Sequence, residues 1–75
     1  MKEKIKNHYI ITKIGNRIRK RRISLGWTMI DLSYAAETDY RQIGRIERGE
    51  TNFTISTLIK ISGVLEISLK ELVKK

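Results

Sequence analysis

Apolar residues recur along the first third of the chain at the three- and four-residue spacing of an amphipathic helix. Ile11, Ile14 and Ile18 follow this spacing, and Gly26 stands where a glycine commonly ends a helix. The pattern therefore predicts a first helix near residues 11–25. Residues 1–10 either extend this helix or form a basic N-terminal arm, and an arm is favoured because chain termini commonly fray.

Residues that commonly cap helices divide the rest of the chain into further helical segments. The caps are Thr28 with Asp31, Asp39 with Gln42, Thr54, and Ser68 with Glu71. They predict a second helix of about nine residues after Thr28, a third helix over 40–48 that ends at Gly49, and a fourth over 55–65. A short last helix follows, with apolar positions at Leu69, Leu72 and Val73.

Only about three or four residues separate the second predicted helix from the third, so these helices must turn sharply against each other, as in a helix-turn-helix. The chain has no proline, a single phenylalanine and many Ile and Leu residues, which favours helices. We predict an all-α, compact five-helix fold. Residues 11–75 form one domain in this prediction, since a 75-residue chain is close to the lower limit for an independent core.

The charge of the chain is unevenly distributed. Nine of the 16 Lys and Arg residues lie in residues 1–26 beside a single acid, whereas residues 27–75 hold seven bases and seven acids. Such a local excess indicates a surface that binds a polyanion, which leaves nucleic acid and an anionic membrane as alternatives. Because Ile14 and Ile18 face the predicted core and no bulky apolar face remains for lipid, nucleic acid is favoured.

Composition argues against several other kinds of site. The chain has no cysteine, so it holds neither a disulfide framework nor a thiolate zinc site. His8 is the one histidine and has no companions at ligand spacing, which argues against a metal site and a catalytic triad. No apolar run approaches the ~20 residues of a membrane span, and the N-terminus lacks a signal-peptide pattern. We expect a cytoplasmic protein without enzymatic activity, metal, cofactor or small-molecule ligand.

The third predicted helix separates two kinds of residue by angle. At about 100° per residue, Arg41, Arg45 and Arg48 fall within about 60° of one another, while Glu47 falls beside the apolar positions. A carboxylate at the edge of a core needs a partner, because an unpaired buried charge costs several kcal/mol. Periodicity does not choose among the arginines that the first helix offers, which are Arg17, Arg19, Arg21 and Arg22.

Several stretches together resemble a known family. IGNRIRKRRISLGWT, then RIERG after a capped turn, and the apolar pattern beyond it resemble the lambda-repressor-like helix-turn-helix family, also called the Xre or Cro/cI type. The resemblance covers about 65 of the 75 residues. It implies that Arg22 pairs with Glu47 and also approaches the DNA backbone.

The same resemblance places the third helix in the major groove of double-stranded DNA. It implies base-reading positions at Tyr40 and Arg41, with Arg45 one turn farther along the same stripe. Arginine suits guanine because it donates two hydrogen bonds to O6 and N7, while tyrosine can donate to a base or phosphate or rest on a thymine methyl group. Contacts that flank the bases or hold phosphate are implied for Thr28, Thr38, Gln42, Arg48, Thr51, Asn52 and Arg22.

The chain departs from the family pattern at four positions near this surface. Met29 stands where a glutamine commonly braces phosphate, and Glu37 where a glycine is usual in the turn. Phe53 replaces a common proline, and Glu50 a common basic residue. We expect Glu37 to accept an unfavourable backbone conformation or to use a different turn. Glu37, Asp39 and Glu50 would each repel phosphate if they faced it, so the DNA contact is expected to be narrower than in strongly basic relatives.

These observations predict a sequence-specific double-stranded DNA-binding transcriptional regulator. Surplus apolar positions in the last helix predict a homodimer on a palindromic operator, with dimer candidates Leu69, Leu72 and Val73. The short chain resembles small phage repressors, restriction–modification controller proteins and some antitoxins, and a controller or repressor is favoured. The alternative is a protein-interaction module, such as an antitoxin that docks a toxin, in which DNA binding is secondary.

Overall fold

Five α-helices make up the described chain, which confirms the all-α, five-helix prediction. The structure, a computed structural model, describes residues 8–50 and 53–74. The helices are α1 (His8–Ser24), α2 (Met29–Ala35), α3 (Tyr40–Glu47), α4 (Ile55–Leu65) and α5 (Leu69–Val73). α1 begins three residues before the predicted start, so residues 8–10 of the predicted arm extend the helix instead, and residues 1–7 of that arm lie outside the described residues.

A single apolar core lies between the helices and receives side chains from all five. Its fully buried members are Ile14, Ile18, Leu32, Ile43, Ile46, Leu58, Ile61, Leu65 and Leu72. The three- and four-residue spacing seen in the sequence is therefore the spacing of the buried helix faces. Phe53, which replaces the family's common proline, is 2% exposed and packs in the same core.

The backbones of α1 and α3 touch at Gly15. A Cβ on this glycine would overlap the carbonyl oxygen of Ile46 and would lie 3.1 Å from the carbonyl oxygen of Glu47. Any larger residue would push the two helices apart, so Gly15 sets their separation. The contact holds the inner face of α3 against α1 and leaves its outer face free of the core.

Helices α1 to α4 end in the same backbone motif, with one residue in the left-handed region just after the last turn. Gly26 (φ +76°) and Gly49 (φ +71°) take this place after α1 and α3, as predicted. Glu37 (φ +52°) and Glu66 (φ +54°) take it after α2 and α4. The next residue closes each motif by donating its N–H five residues back, in the pairs Trp27 to Arg22, Thr38 to Ser33, Glu50 to Arg45, and Ile67 to Ser62. Glu37 thus adopts the unfavourable conformation, the first of its two predicted alternatives.

The four predicted capping residues cap their helices, although Asp39 accepts from the N–H of Arg41 and not from its predicted partner Gln42. Thr28 and Asp31 form a reciprocal capping box, in which each side chain accepts from the other's backbone N–H at 3.0 and 2.8 Å. Asp39 accepts from the N–H of Arg41 at 2.7 Å and so begins α3 immediately after the tight turn. Thr54 and Ser68 each cap their helix by accepting from the residue three positions on. These caps fix where α3 begins relative to α2.

Candidate nucleic-acid interface

The outer face of α3 carries the three residues predicted to read bases. Tyr40 is 48% exposed, and Arg41 and Arg45 are exposed beside it. On the opposite face, Ile43 and Ile46 are fully buried, so the rotation of α3 about its own axis is fixed by the core. The structure therefore brings the three predicted side chains together on one outward surface.

A shallow cavity of about 260 Å³ lies between this surface and the start of α2. Its wall is mainly apolar, and it is lined by Met29, Tyr40, Arg41, Gly44, Arg45 and Arg48. Such a surface offers guanidinium donors to a base edge and apolar contact to a methyl group. Gly44 carries no group that would mark it in the sequence as part of this surface, and Met29 is identified there only as a departure from the family pattern. Thr38 and Gln42, predicted to flank the bases, are half-buried.

Arg22 of α1 holds Glu47 of α3 in a nearly closed site, which is the pair that the resemblance implies. Nε donates to Oε2 at 2.7 Å, Nη2 donates to Oε1 at 3.0 Å, and Nη1 donates to the carbonyl oxygen of Trp27 at 2.8 Å. The two side chains are 11% and 4% exposed. The hydrogen bond to Glu47 raises the pKa of Arg22 above its ordinary value. These bonds use three of the five N–H donors of Arg22, which leaves one N–H on each Nη for a phosphate that reaches this nearly closed site.

Two further arginines of α1 bind the ends of other helices. Arg17 Nη1 donates to the carbonyl oxygens of Leu72, at 2.9 Å, and Lys74. Arg21 Nε donates to the carbonyl oxygen of Leu65 at 2.8 Å. Carboxyl ends of helices carry unpaired carbonyls and partial negative charge, so a guanidinium stabilises them. The basic run RIRKRR is therefore largely structural, and its exposed members are Arg19 and Lys20.

Thr28 lies exposed at the amino end of α2. Its hydroxyl oxygen accepts from Asp31, and its backbone N–H donates to the Asp31 carboxylate. The hydroxyl proton has no acceptor among the described residues and can donate to a phosphate. Thr51 and Asn52, the phosphate contacts predicted in the loop after α3, lie outside the described residues.

Arg48 ends α3 and pairs with Glu50 at the surface. Arg48 Nε lies 2.9 Å from Glu50 Oε2, and the side chains are 56% and 54% exposed. The hydrogen bond from Arg48 lowers the pKa of Glu50, and the same bond raises the pKa of Arg48. Glu50 stands out in the sequence as a departure from the family pattern, and the structure supplies its partner.

The dimer candidates of α5 differ in exposure. Leu72 is fully buried in the core of its own chain and offers no surface to a second copy. Leu69 is half-buried, and Val73 is 38% exposed. Leu69 and Val73 are therefore the two that can still contact a partner.

Within residues 8–50 and 53–74 no group of three His, Cys, Asp or Glu residues is placed to hold a metal ion. No helix in the same part of the chain is long and apolar enough to cross a membrane. His8 begins α1 with an exposed side chain. The outer face of α3 is the candidate site that remains.

The model of a family described as helix-turn-helix matches residues 18–72. The restriction-modification controller protein C.AhdI from Aeromonas hydrophila is 29% identical, with a TM-score of 0.79 over 83% of this chain and 94% of that chain. The wild-type controller protein C.Esp1396I is 34% identical, with a TM-score of 0.78 over 85% of this chain and 83% of that chain. C.Esp1396I has also been solved as a tetramer in complex with its natural 35 base-pair operator. No curated protein sequence matches the chain significantly.

Proposed function

The chain belongs to this helix-turn-helix family, and on that premise we propose that it is a sequence-specific double-stranded DNA-binding transcriptional regulator. The observation that carries the proposal is the exposed group of Tyr40, Arg41 and Arg45 on a helix whose inner face is locked in the core. The protein acts by binding alone, without a reaction of its own. Its place is the cytoplasm, with the DNA that it regulates.

α3 enters the major groove and presents its outer face to the base edges. Arg41 and Arg45 are four residues apart and are neighbours on that face, so their guanidinium groups reach adjacent positions. Each can donate two hydrogen bonds to O6 and N7 of a guanine. Tyr40, at the start of α3, offers its hydroxyl to a base or phosphate and its ring to a thymine methyl group.

Phosphate contacts hold α3 in register without selecting a sequence. The Thr28 hydroxyl can donate to one phosphate, and the exposed Arg19 and Lys20 add positive charge on α1. Thr51, Asn52, Thr38 and Gln42 remain predicted contacts near the same groove. Because neutralised phosphates release counterions, the logarithm of affinity should fall linearly with the logarithm of salt concentration.

Two copies of the chain bind a palindromic operator. The tetramer of C.Esp1396I on its operator supports assembly on DNA for a chain of this similarity. Leu69 and Val73 of α5 supply apolar surface for a two-fold contact. The half-sites then lie about one helical turn, or ~34 Å, apart. The likeness to C.AhdI and C.Esp1396I supports a role as a controller protein or repressor.

Alanine at both Arg41 and Arg45 tests the proposal. The wild-type protein first selects an operator from a random pool of duplexes. The double variant should bind that operator no better than a scrambled duplex, while its circular dichroism stays helical because both side chains are exposed.

The matched control is alanine at Arg19 and Lys20, which removes the same charge from exposed positions of α1. This control should weaken binding to both duplexes and keep the preference between them. A preference that survives in the Arg41 and Arg45 variant would overturn the assignment of α3.

A further inference from the structure

The end of α3 is built so that Glu50 reaches back to Arg48. Gly49 reverses the chain in the left-handed conformation, and the N–H of Glu50 donates to the carbonyl oxygen of Arg45 at 2.9 Å. The backbone of Glu50 is thereby tied to the last turn of the helix. From this position its carboxylate lies 2.9 Å from Nε of Arg48.

The guanidinium of Arg48 lies over Gly44, one helical turn back along α3. A Cβ on Gly44 would stand 3.0 Å from Nη1 and 3.8 Å from both Cζ and Nη2. The missing side chain therefore gives the guanidinium its place against the helix. Four residues of helix span about 6 Å, so the charge of Arg48 lies about 6 Å nearer the amino end of α3 than the backbone of Arg48 does.

In this position Arg48 lines the same cavity as Tyr40, Arg41 and Arg45. An unrestrained arginine at a helix end can reach any nearby phosphate, and such contacts carry no sequence information. With Nε bound by Glu50, the Nη groups of Arg48 lie over Gly44 on the side of α3 that carries the base-reading residues.

We propose that Glu50 is a positioning residue that makes Arg48 a determinant of DNA sequence specificity. Its carboxylate holds the guanidinium over Gly44 and away from phosphate. Arg48 then helps the protein to select a DNA sequence and adds little affinity that is independent of sequence. This role differs from the phosphate contact predicted from the sequence. The inference rests on the proposed function, because it concerns the same face of α3.

Two variants move Arg48 by different routes. Glu50→Gln removes the charge that holds the guanidinium. Gly44→Ala keeps every charge and places a Cβ against Nη1, and the arginine must shift because the atoms contacted are the far end of a flexible side chain. Each variant should lower the ratio of affinity for the selected operator to affinity for a scrambled duplex. The expected loss is roughly fivefold or more for Glu50→Gln, the size of one base contact, and smaller for Gly44→Ala, which displaces the guanidinium only slightly.

The Arg48→Ala background shows whether the effect passes through the guanidinium. There, Glu50→Gln should leave the affinity ratio unchanged, since no guanidinium remains to be positioned. With Arg48 present, Glu50→Gln should also steepen the salt dependence of binding to the scrambled duplex by up to about one unit of slope, because a freed Arg48 reaches phosphate.

Simple repulsion of phosphate by Glu50 predicts another result. Glu50→Gln would then tighten binding to both duplexes by the same factor, and Gly44→Ala would leave the ratio at the wild-type value. That result overturns the positioning role and leaves the proposed function standing. A wild-type protein that selects no sequence would instead overturn both. Melting curves verify that the variants are folded, as expected for changes to an exposed ion pair.

Discussion

The carboxylate of Glu47 is held by two parallel hydrogen bonds in a site that water barely reaches. Its side chain is 4% exposed, and Arg22 donates from Nε and Nη2. A bidentate pair fixes orientation as well as distance, so it determines where the end of α3 lies against α1. Glu47, which lies between Arg45 and Arg48 along the chain, therefore stabilises the packing of α3 inside the fold, while the two arginines lie on the surface.

Alanine at Glu47 should lower the free energy of unfolding by about 3 kcal/mol or more, because Arg22 is left buried without its partner. Chemical denaturation measures the difference. Alanine at Glu50 is the matched control, since it removes an acid from an exposed ion pair, and it should leave unfolding unchanged within error. If the Glu47 variant also unfolds like the wild type, the pair does not hold α3 in place.

Angles along α3 place Glu47 beside the core but do not identify its partner. Seen along α1 alone, four arginines are equally available, and only the resemblance to a family implies Arg22. The choice depends on how α1 crosses α3 at Gly15, where a backbone contact sets the distance between the helices. Such a crossing joins residues far apart in the chain, so local spacing cannot reveal it.

At the scale of the helices, two of the four left-handed ends are strained. Glu37 and Glu66 occupy a conformation in which a Cβ costs roughly 1–2 kcal/mol. Glycine marks the ends of α1 and α3 in the sequence, so both ends are predictable. Nothing comparable marks Glu66, and Glu37 is identified only as a departure from the family. Because no sequence signal marks the end of α2, its predicted length of about nine residues exceeds the seven residues observed.

Glycine at Glu37 should raise the free energy of unfolding by about 1 kcal/mol, less than the full strain because glycine is also freer in the unfolded chain. Thermal or chemical denaturation measures the gain. Alanine at the same position keeps the strain and should leave stability near that of the wild type.

Glu37→Gly and Glu37→Ala both remove an acid from the turn before α3, so the two variants should strengthen DNA binding to the same extent. Glycine at Glu66 should stabilise the fold and leave DNA binding as it is. A Glu37→Gly variant no more stable than Glu37→Ala would contradict the strain assigned to the turn.

Across the whole molecule, fewer basic side chains are free to contact a polyanion directly than the 16 Lys and Arg residues of the sequence suggest. Arg17, Arg21 and Arg22 are bound within the fold, and Arg48 is paired with Glu50. A run of basic residues predicts a polyanion-binding surface. Which of its members face solvent depends on carbonyl groups 44 and 55 positions farther along the chain, beyond the reach of any local pattern.

A homodimer formed through α5 should be sensitive to charge at Val73. Val73→Glu places two like charges near each other across a two-fold axis, so sedimentation velocity should show a shift toward monomer. The monomer should stay folded, since Val73 is 38% exposed. Ile30→Glu is the matched control on α2, where the residue is 51% exposed, and should leave the dimer intact. A Val73→Glu protein that remains dimeric would place the interface elsewhere.

Backbone contact at Gly15 leaves no room for a side chain at the point where α1 and α3 cross. Movement of α3 would require core contacts on both sides to be lost, and packed interiors resist such displacement. Under the proposed function, α3 therefore needs no slow displacement of its backbone when the protein binds DNA. The association rate constant is then set by diffusion and long-range electrostatic attraction and is similar for every DNA sequence. The selected operator is therefore distinguished by a slower dissociation of the protein.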